Sequence, residues 1–487
     1  MRKLSILMGI VFLISLCVSS GFAKVTVGEV VGERFETAHP YSGSGLAVER
    51  IFHWPNAGYI SLHFANFDLA PGDYVQVASP DGMFSYAYKG KGKEVRGGQE
   101  VLTSFWATHI PGDTAIVRLF AKNPKSGWGF AIDKWVRGYE QGILEEAFIQ
   151  MEGDAEIEAI CGTDDKEWAP CYTGTTMYDK ARAVCRLLIN GNSACTGFLV
   201  GSEGHVMTNY HCIGSQSDAD NTDYEFMAEG ATCVTNCTGW FACPGVVEAS
   251  SGLLEGSDYS LDYALVLLPS NVSGTYGYLQ FRSSLPVIDE RIYIPQHPGA
   301  YGKQLAVYST DSHDESGYCE IYSTDEPPCI GGPGDIGYFA DTAGGSSGSP
   351  VLAYDDHLIV ALHHCATCPN RGVPIPSIIA DLGAALPNDA IGGGSEDPPA
   401  APSNLTAKAR GKAKVVLAWT DNANNETGFY VYRGTDGVNF DLYATLGANS
   451  TAYTDSSVQG GNTYYYKVCA YNMYGEACSN IASVYVK

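Results

Sequence analysis

Three serines lie close together in the stretch DTAGGSSGSPV, which runs from position 341 to 351. The neighbouring glycines fit two catalytic patterns: G-x-S-x-G places a nucleophile at Ser346, whereas G-x-S-G-x-P places one at Ser347. A serine hydroxyl becomes nucleophilic when a nearby base takes its proton and an acid holds that base in place. The choice between the two serines therefore depends on where the sequence supplies a histidine and a carboxylate.

A candidate base and a candidate acid precede the serines. His211 lies near the end of the segment CTGFLVGSEGHVMTNYHC, in which an apolar strand leads into a turn. Cys195 and Cys212 border this segment, and we predict that a disulfide between them pins the turn that carries the histidine. Asp262 comes directly before the apolar run YALVLL, which predicts a carboxylate at the start of a buried strand.

The order of the three candidate residues separates the two patterns. An α/β-hydrolase, the usual host of G-x-S-x-G, has its serine first and its histidine last. The histidines that follow Ser346 at positions 357, 363 and 364 are too close to it to leave room for the strand, acid and helix of that fold. We therefore assign the nucleophile to Ser347 and treat the first pattern as a coincidence.

Residues 161–387 resemble the bacterial secreted trypsin-like serine proteases of the chymotrypsin fold, and within them the lysyl and glutamyl endopeptidases. The matching segments are CTGFLV, TNYHC, LDYALVLL, IPQHPGAYGKQLAV, GGSSGSPV and LHHC, together with a C-x(9)-C pattern at the start of the block. The resemblance implies a double β-barrel. It also implies that His211 acts as general base and then acid, that Asp262 orients it, and that Ser347 forms the acyl-enzyme.

Glycines and a second serine complete the expected site. The backbone N–H groups of Gly345 and Ser347 are predicted to form the oxyanion hole, because glycine permits the turn that aims both donors at one point. Ser346 stands where animal trypsins carry an aspartate that pairs with a newly cut N-terminus. That activation switch is therefore expected to be absent, and a latent form would need another device, such as residues 24–160 covering the cleft.

The substrate preference rests on three residues. Asp341 precedes the nucleophile by six positions, where trypsin keeps the carboxylate at the base of its pocket, so we predict cleavage after Lys or Arg. The alternative is a preference for Glu, because the glutamyl endopeptidases resemble this chain in a hydroxyl near Thr342 and a histidine at His363. In that alternative Asp341 points away and braces the loop.

The residue pattern divides the rest of the chain into segments and predicts an all-β arrangement of domains. Two basic residues, an apolar run and small residues at the end predict a signal peptide over 1–23. Alternating apolar residues and turn motifs predict a β-sandwich, an accessory domain or pro-domain, over 24–145. An acidic connector over 146–160 and the protease domain over 161–389 follow. A Gly- and Pro-rich linker over 390–401 leads to residues 402–487, which resemble a fibronectin type III sandwich.

The cysteine content and the net charge indicate the compartment of the protein and limit the classes of partner that it can bind. The chain of 487 residues has 15 cysteines, one of them in the predicted signal peptide, and a net charge of −25. We predict secretion to the extracellular space or periplasm. In such an oxidising compartment, we expect the cysteines to form disulfides and not metal thiolates, including the two cysteines of the segment HHCATC. Cys469 and Cys478 are expected to pair across a turn, and the resemblance to lysyl endopeptidases implies a Cys161–Cys365 bond. The acidic charge argues against nucleic-acid and anionic-membrane partners.

These patterns predict a secreted serine endopeptidase that acts on proteins or peptides without a metal or cofactor. The main alternative is a non-catalytic adhesion or carbohydrate-binding protein with a decayed protease domain, in which the outer sandwiches bind extracellular polymers. An esterase of the same fold is a further alternative, because the same triad cleaves esters.

Overall fold

A computed structural model describes residues 24–122, 127–140, 160–314, 316–392, 398–423, 426, 428–447, 450–472 and 475–487. The predicted signal peptide, almost all of the connector and part of the linker lie outside these residues. The chain is nearly all-β, as expected. Residues up to Gly392 form one compact unit and the residues after it form a second.

The first unit begins with a β-sandwich. Strands with alternating burial, such as TAIVRLFA at positions 114–121, turn one face toward an aromatic-rich core and the other toward water. One sheet has the order β10-β5-β13-β2, with β3 on β13 and β11 on β5, and the other has the order β4-β12-β6-β7; β8 and β9 form a small hairpin. The strands are β1 (Val25–Thr26), β2 (Gly28–Val31), β3 (Phe35–Glu36), β4 (Gly45–His53), β5 (Tyr59–Leu69), β6 (Tyr74–Ala78), β7 (Ser85–Lys89), β8 (Lys93–Val95), β9 (Glu100–Leu102), β10 (Phe105–Trp106), β11 (Ile110–Pro111), β12 (Thr114–Ala121) and β13 (Gly127–Gly138).

A third large sheet in this unit is antiparallel and carries the predicted base and acid. Its order is β19-β18-β15-β16-β17-β21-β20, and β1 of the N-terminal segment pairs with β16. The strands β15 and β18 are buried along their whole length, since their apolar residues face the core cluster that fills this half of the protease region. The elements are β14 (Glu167–Trp168), α1 (Thr176–Ala181), β15 (Val184–Ile189), β16 (Ser193–Val200), β17 (His205–Thr208), α2 (Gln216–Asp220), β18 (Thr222–Phe226), β19 (Val246–Ala249), β20 (Leu253–Asp258), β21 (Tyr263–Leu267) and α3 (Ser273–Tyr276).

A fourth large sheet carries the predicted nucleophile. Its order is β14-β24-β23-β27-β28-β29-β26-β25, with β22 on β28 and β30 on β22. The serine-containing stretch is a turn that leads directly into buried strand β27. The elements are β22 (Phe281–Arg282), β23 (Ile292–Gln296), β24 (Gln304–Ala306), β25 (Ile321–Glu326), β26 (Asp335–Tyr338), β27 (Pro350–Ala353), β28 (Ile359–Cys365), β29 (Asn370–Pro374), α4 (Ile375–Leu382) and β30 (Ile391–Gly392).

The second unit is a two-sheet β-sandwich. One sheet has the order β31-β32-β35 and the other β34-β33-β36-β37, with β38 on β36. Trp419, Tyr464, Tyr466, Val468 and Ala470 are buried in its core, as their alternation predicted. The strands are β31 (Ser403–Ala409), β32 (Val415–Thr420), β33 (Gly428–Gly434), β34 (Asp441–Gly447), β35 (Ala452–Asp455), β36 (Thr463–Asn472), β37 (Gly475–Cys478) and β38 (Ala482–Tyr485).

Two of the three predicted disulfides are present and the third is wrong. Cys195 is bonded to Cys212, and Cys469 is bonded to Cys478 across strands β36 and β37. Further bonds in the described residues join Cys171 to Cys233 and Cys237 to Cys243.

The predicted bond between Cys161 and Cys365 does not form. Cys365 ends strand β28 and is bonded to Cys329, which lies between strands β25 and β26. Cys161 is instead bonded to Cys368, three positions further along the loop that joins β28 to β29. The physical reason is the pairing of β26 with β29, which brings the β25–β26 connection beside the end of β28. Cys185 and Cys319 are buried free thiols.

Candidate active site

Two neighbouring strands bring His211 and Asp262 together. His211 lies in the turn after β17 and Asp262 lies just before β21, and these strands are antiparallel partners, with Thr208 opposite Ala264. The Asp262 carboxylate accepts the His211 backbone N–H at 2.9 Å through Oδ1. His211 Nδ1 lies 2.8 Å from Asp262 Oδ2. This arrangement leaves Nε2 as the imidazole atom able to accept a proton.

Asp262 is held in an unusual conformation and remains ionised. Its φ is +43°, in the left-handed region that an aspartate tolerates better than most residues. Asn209 donates its side-chain N–H to the Asp262 carbonyl at 2.8 Å. Burial raises the pKa of Asp262, but the charge of His211 and hydrogen bonds from His211 and His364 outweigh burial and lower it to about 2.

The loop before β27 places Ser347 next to the histidine turn. The Ser347 carbonyl accepts a hydrogen bond from the Thr196 N–H at 2.9 Å, and Cys212 Sγ lies 4.0 Å from the same oxygen. Because Cys212 directly follows His211, these contacts place the Ser347 backbone beside the turn that carries the histidine.

Ser346 is occupied by contacts within the protein. Its hydroxyl donates to Gln296 Oε1 at 2.5 Å and accepts the Ala343 backbone N–H at 3.1 Å. The residue is completely buried, whereas Ser347 retains 5% of its exposure. The Ser346 hydroxyl thus stabilises the loop.

The oxyanion candidates are two N–H groups in the same loop. Gly345 has a φ of +96°, and a Cβ atom there would lie 3.0 Å from the His297 carbonyl oxygen, so glycine is required. Thr196 fixes the peptide by donating its hydroxyl to the Gly345 carbonyl at 2.8 Å. Among the described residues, no backbone carbonyl accepts a hydrogen bond from the N–H of Gly345 or Ser347.

Asp341 takes the bracing orientation that the sequence left as the alternative. Its two carboxylate oxygens accept the backbone N–H groups of Cys161, at 2.9 Å, and Asp165, at 2.8 Å. Burial raises the pKa of Asp341 to about 6. The carboxylate therefore ties the loop before the nucleophile to residues 161–165.

The other two predicted pocket residues lie among buried polar groups. Thr342 donates its hydroxyl to Asn370 Oδ1 at 3.0 Å. His363 Nδ1 lies 2.8 Å from the Tyr338 hydroxyl oxygen, and burial lowers the pKa of this histidine to about 3. The His363 backbone N–H also donates to the Ser349 carbonyl at 3.0 Å, which fixes this strand beside the nucleophile loop. These groups are uncharged at neutral pH.

Sequence reasoning missed His364, which contacts Asp262 directly. Its Nδ1 lies 3.3 Å from Asp262 Oδ2, and its Nε2 lies 3.1 Å from Asp335 Oδ2. The signal was the adjacent pair of histidines in LHHC: neighbouring strand residues point to opposite faces, so one of the two had to face away from the proposed pocket.

The cysteines near the site form disulfides. The groupings of potential metal ligands around it contain Cys195, Cys212 and Cys329. All three are disulfide-bonded and therefore offer no thiolate. Of the described helices, none combines the length and apolar character that crossing a lipid bilayer requires.

Comparisons with known proteins agree with this architecture. Residues 195–362 match the family model of the trypsin-like peptidase domain. The chain is 40% identical over 340 residues to the secreted RxLR effector protein 73 of Plasmopara viticola, an alignment that covers 67% of this chain and 79% of the relative.

Solved structures show weaker likenesses. A Glu endopeptidase in complex with MPD is 17% identical, with a TM-score of 0.32, and covers 46% of this chain and 98% of its own. An Fn3-like protein from Clostridium thermocellum is 33% identical, with a TM-score of 0.17, over 19% of this chain and 97% of its own. By the extent and identity of the curated match, the chain belongs to the family of the P. viticola effector protein, within which it carries a trypsin-like peptidase domain.

Proposed function

We propose that this protein is a serine endopeptidase whose triad is His211, Asp262 and Ser347. The observation that carries the proposal is the pair of hydrogen bonds from His211 to the buried Asp262 carboxylate, beside a serine whose backbone contacts the histidine turn. The free N–H groups of Gly345 and Ser347 support it, because an acyl-transfer site needs two donors for the developing oxyanion.

The reaction follows from these positions. His211 Nε2 takes the hydroxyl proton as Ser347 Oγ attacks the peptide carbonyl carbon, and Asp262 stabilises the imidazolium that forms. The two N–H groups bind the oxyanion of the tetrahedral intermediate. His211 then gives its proton to the leaving amine, and a water activated by the same imidazole hydrolyses the acyl-enzyme.

We propose that the protein acts outside the cytoplasm. Six disulfides among the described residues suit an oxidising compartment. The predicted signal peptide and the word "secreted" in the relative's name support the same location. Protein or peptide substrates are the partners that this proposal implies.

For the substrate side chain, the geometry gives more support to Glu than to Lys or Arg. A preference for a cation needs an available carboxylate in the pocket, and both Asp341 oxygens already accept backbone N–H groups. Thr342, His363 and Asn370 are instead uncharged groups that can hydrogen-bond to a substrate carboxylate after rearranging their present partners.

Labelling with a fluorophosphonate tests the nucleophile. The purified protein should react at one serine, and mass spectrometry should locate the adduct on the peptide that contains Ser347. The Ser347→Ala variant should neither react nor cleave denatured casein. A wild-type protein that is folded but does not react would instead support the non-catalytic alternative.

Fluorogenic peptides that end in Glu, Arg or Lys before the scissile bond test the preference. We expect kcat/KM to be highest for Glu and to fall on the order of tenfold in Thr342→Val, which removes a hydroxyl but keeps the shape. Asp341→Asn serves as the comparison. Because Asp341 braces the loop and does not bind the substrate side chain, this substitution should change kcat/KM by the same factor for all three peptides. A preference for Arg or Lys that Asp341→Asn abolishes would restore the first prediction.

A further inference from the structure

His364 joins two buried carboxylates. Each of its ring nitrogens lies within hydrogen-bond distance of one aspartate, Asp262 on one side and Asp335 on the other. The ring and both carboxylates are at most 2% exposed. Asp335 Oδ2 also accepts the Cys329 backbone N–H at 3.0 Å. The histidine thus sits in a continuous buried chain that runs from Asp335 to His211.

The geometry requires a positive charge on this ring. A neutral imidazole has one N–H and can donate to only one carboxylate, whereas an imidazolium donates to both. With a neutral ring, the lone pair of the other nitrogen would face a buried carboxylate oxygen at hydrogen-bond distance, which is strongly unfavourable. An imidazolium at His364 satisfies both aspartates and offsets one of their two negative charges.

We propose that His364 is a positioning residue of the catalytic apparatus: its imidazolium fixes the Asp262 carboxylate and reduces the negative charge that Asp262 presents to His211. The inference rests on the proposed peptidase function. With part of its charge matched by His364, Asp262 attracts the imidazolium form of the general base less strongly, and activity should therefore be retained to lower pH.

Further titratable or charged side chains near the ring are His363 and Arg371. His363 precedes it on β28 and faces Tyr338, and burial keeps that imidazole neutral. The Arg371 guanidinium on β29 lies 3.8 Å from Cys329 Sγ and donates to the Pro327 carbonyl. The groups in direct hydrogen-bond contact with His364 therefore remain the two aspartates.

The pH dependence of kcat/KM tests the proposal in the full chain. In His364→Gln, the acidic limb of the profile should move up by about one pH unit, so that activity well below the limb falls on the order of tenfold. The double variant His364→Gln/Asp335→Asn, which leaves no unpaired Asp335 charge, should show the same displacement. His357→Gln, a partly buried histidine bonded to Tyr293, is the matched control and should leave the limb in place.

Fluorophosphonate labelling separates the possible failures. The fraction of each variant that reacts gives the concentration of folded sites, to which kcat is normalised. A wild type that does not react would count against the proposed function itself. Variants that react normally but keep the wild-type acidic limb would overturn the role of His364.

A second observation concerns β1, which lies beside the nucleophile. Val25 and Thr26 pair with Ala194 and Ser193 at one edge of β16. Two residues further along the same strand, Thr196 donates its N–H to the Ser347 carbonyl. The N-terminal strand and the nucleophile loop therefore occupy neighbouring positions along β16.

Side-chain contacts place the beginning of this segment at the cleft. Lys24 Nζ lies 3.5 Å from the Cys212 carbonyl oxygen, next to the catalytic histidine. A Cβ atom on Gly345 would lie 3.2 Å from Val25 Cγ1, so Val25 packs against the oxyanion loop. Val27 is further away and donates its N–H to Asn192. From Lys24 onward, the backbone thus leads away from Ser347.

The chain direction of β1 matches that of the part of a substrate that follows the scissile bond. The predicted specificity residues Thr342 and His363 belong to the fourth large sheet and the loop before β27, whereas β1 pairs with the sheet of β16 and begins beside Cys212 of the Cys195–Cys212 disulfide. In a bound substrate, the part after the scissile bond starts at the nucleophile and continues away from it.

We infer that Lys24–Val27 occupies the leaving-group side of the cleft as a tethered competitor of substrate, an inference that also rests on the proposed peptidase function. A substrate that extends beyond the scissile bond must displace β1 to pair with β16. A substrate with only a small leaving group does not meet this segment.

Two substrates and two variants test this inference. Val25→Asp places a charge against the oxyanion loop and should release β1, whereas Thr26→Asp adds the same charge at an exposed position of the same strand. For a peptide with three residues after the scissile bond, Val25→Asp should raise kcat/KM on the order of tenfold, because the open cleft becomes the main population. For an anilide with the same acyl part, Val25→Asp should give no rise in kcat/KM, and Thr26→Asp should leave kcat/KM at the wild-type value for the extended peptide.

The pattern across the two substrates decides the outcome. Equal kcat/KM for the wild type and Val25→Asp on the extended peptide would overturn the inference, as would an equal rise on both substrates. Sites are counted by fluorophosphonate labelling, so the absence of any labelling in the wild type would instead refute the serine endopeptidase.

Discussion

Two adjacent serines have different surroundings, and this difference predicts different effects of mutation. Ser347→Ala should lower kcat by on the order of 10⁴–10⁶-fold, because it removes the nucleophile. Ser346→Ala removes the hydrogen bond to Gln296 and should cost about 1 kcal/mol of stability, with a far smaller loss of kcat. Steady-state kinetics with urea unfolding of both variants provides the measurement. An inactive Ser346→Ala beside an active Ser347→Ala would reverse the assignment.

His364 also predicts how stability varies with pH. Burial lowers the pKa of this histidine, but hydrogen bonds to Asp262 and Asp335 outweigh burial and raise it to about 9. Its contribution to the free energy of unfolding is therefore complete below about pH 6.5 and is lost as pH rises through about 9. Urea midpoints between these values should decline in the wild type.

The urea midpoints of His364→Gln should decline less as pH rises, because the variant lacks the histidine that titrates in this range. The contribution of Asp262 to the free energy of unfolding changes with pH in the opposite direction. It is present above about pH 4 and is lost as pH falls through the lowered pKa of Asp262, about 2. Parallel alkaline declines in the wild type and His364→Gln would show that other groups control the stability there.

At the scale of elements, the disulfides differ in the length of chain that they close. The Cys161–Cys368 bond spans 207 residues and the Cys237–Cys243 bond spans 6. Replacing the first pair by serines should cost about 5 kcal/mol and replacing the second about 2 kcal/mol in the chain-entropy description. Urea unfolding of the two double variants measures both losses. Equal losses would mean that contacts of the native state, and not the closed loop, dominate.

Peptide mapping without reduction tests the pairing itself. We expect Cys161 to be linked to Cys368 and Cys329 to Cys365, with Cys185 and Cys319 recovered as thiols after unfolding. Recovery of Cys195 and Cys212 as thiols would remove the link that pins the turn of His211.

At the scale of the whole molecule, the N-terminal sandwich and the protease barrels share buried polar contacts. Lys93 is 5% exposed and donates to the carbonyl oxygens of Trp106, at 3.2 Å, and Asp220, at 2.9 Å. Asp223 accepts from the His109 backbone and lies 2.8 Å from His109 Nδ1. Such contacts bind the two parts into one compact unit.

Lys93→Met should therefore destabilise this unit by roughly 2 kcal/mol, because two carbonyl groups lose a charged donor. Calorimetry should show a lower melting temperature for the transition of the first unit and no change for the C-terminal sandwich. Lys91→Met, at an exposed position two residues away, is the control. Equal effects of the two substitutions would indicate that Lys93 does not hold the sandwich in place.

The sequence by itself determined the features that depend on local patterns. Alternating apolar residues indicated an all-β chain, and the order of His211, Asp262 and Ser347 favoured one serine over its neighbour. The Cys195–Cys212 and Cys469–Cys478 bonds were also predictable, since each joins residues on neighbouring segments of chain. These inferences needed only periodicity and short spacings.

Tertiary structure decided whatever depends on contacts between distant segments. Asp341 points toward Cys161, 180 positions earlier in the chain, so no local pattern could give its orientation. The choice between Cys365 and Cys368 follows from the β26–β29 pairing, and the link from His364 to Asp262 spans 102 positions. The strand at Val25 reaches β16 for the same reason: Ser193 and Ala194 lie beyond the stretch of β16 that pairs with β17, so they pair with the segment that the whole fold brings beside them.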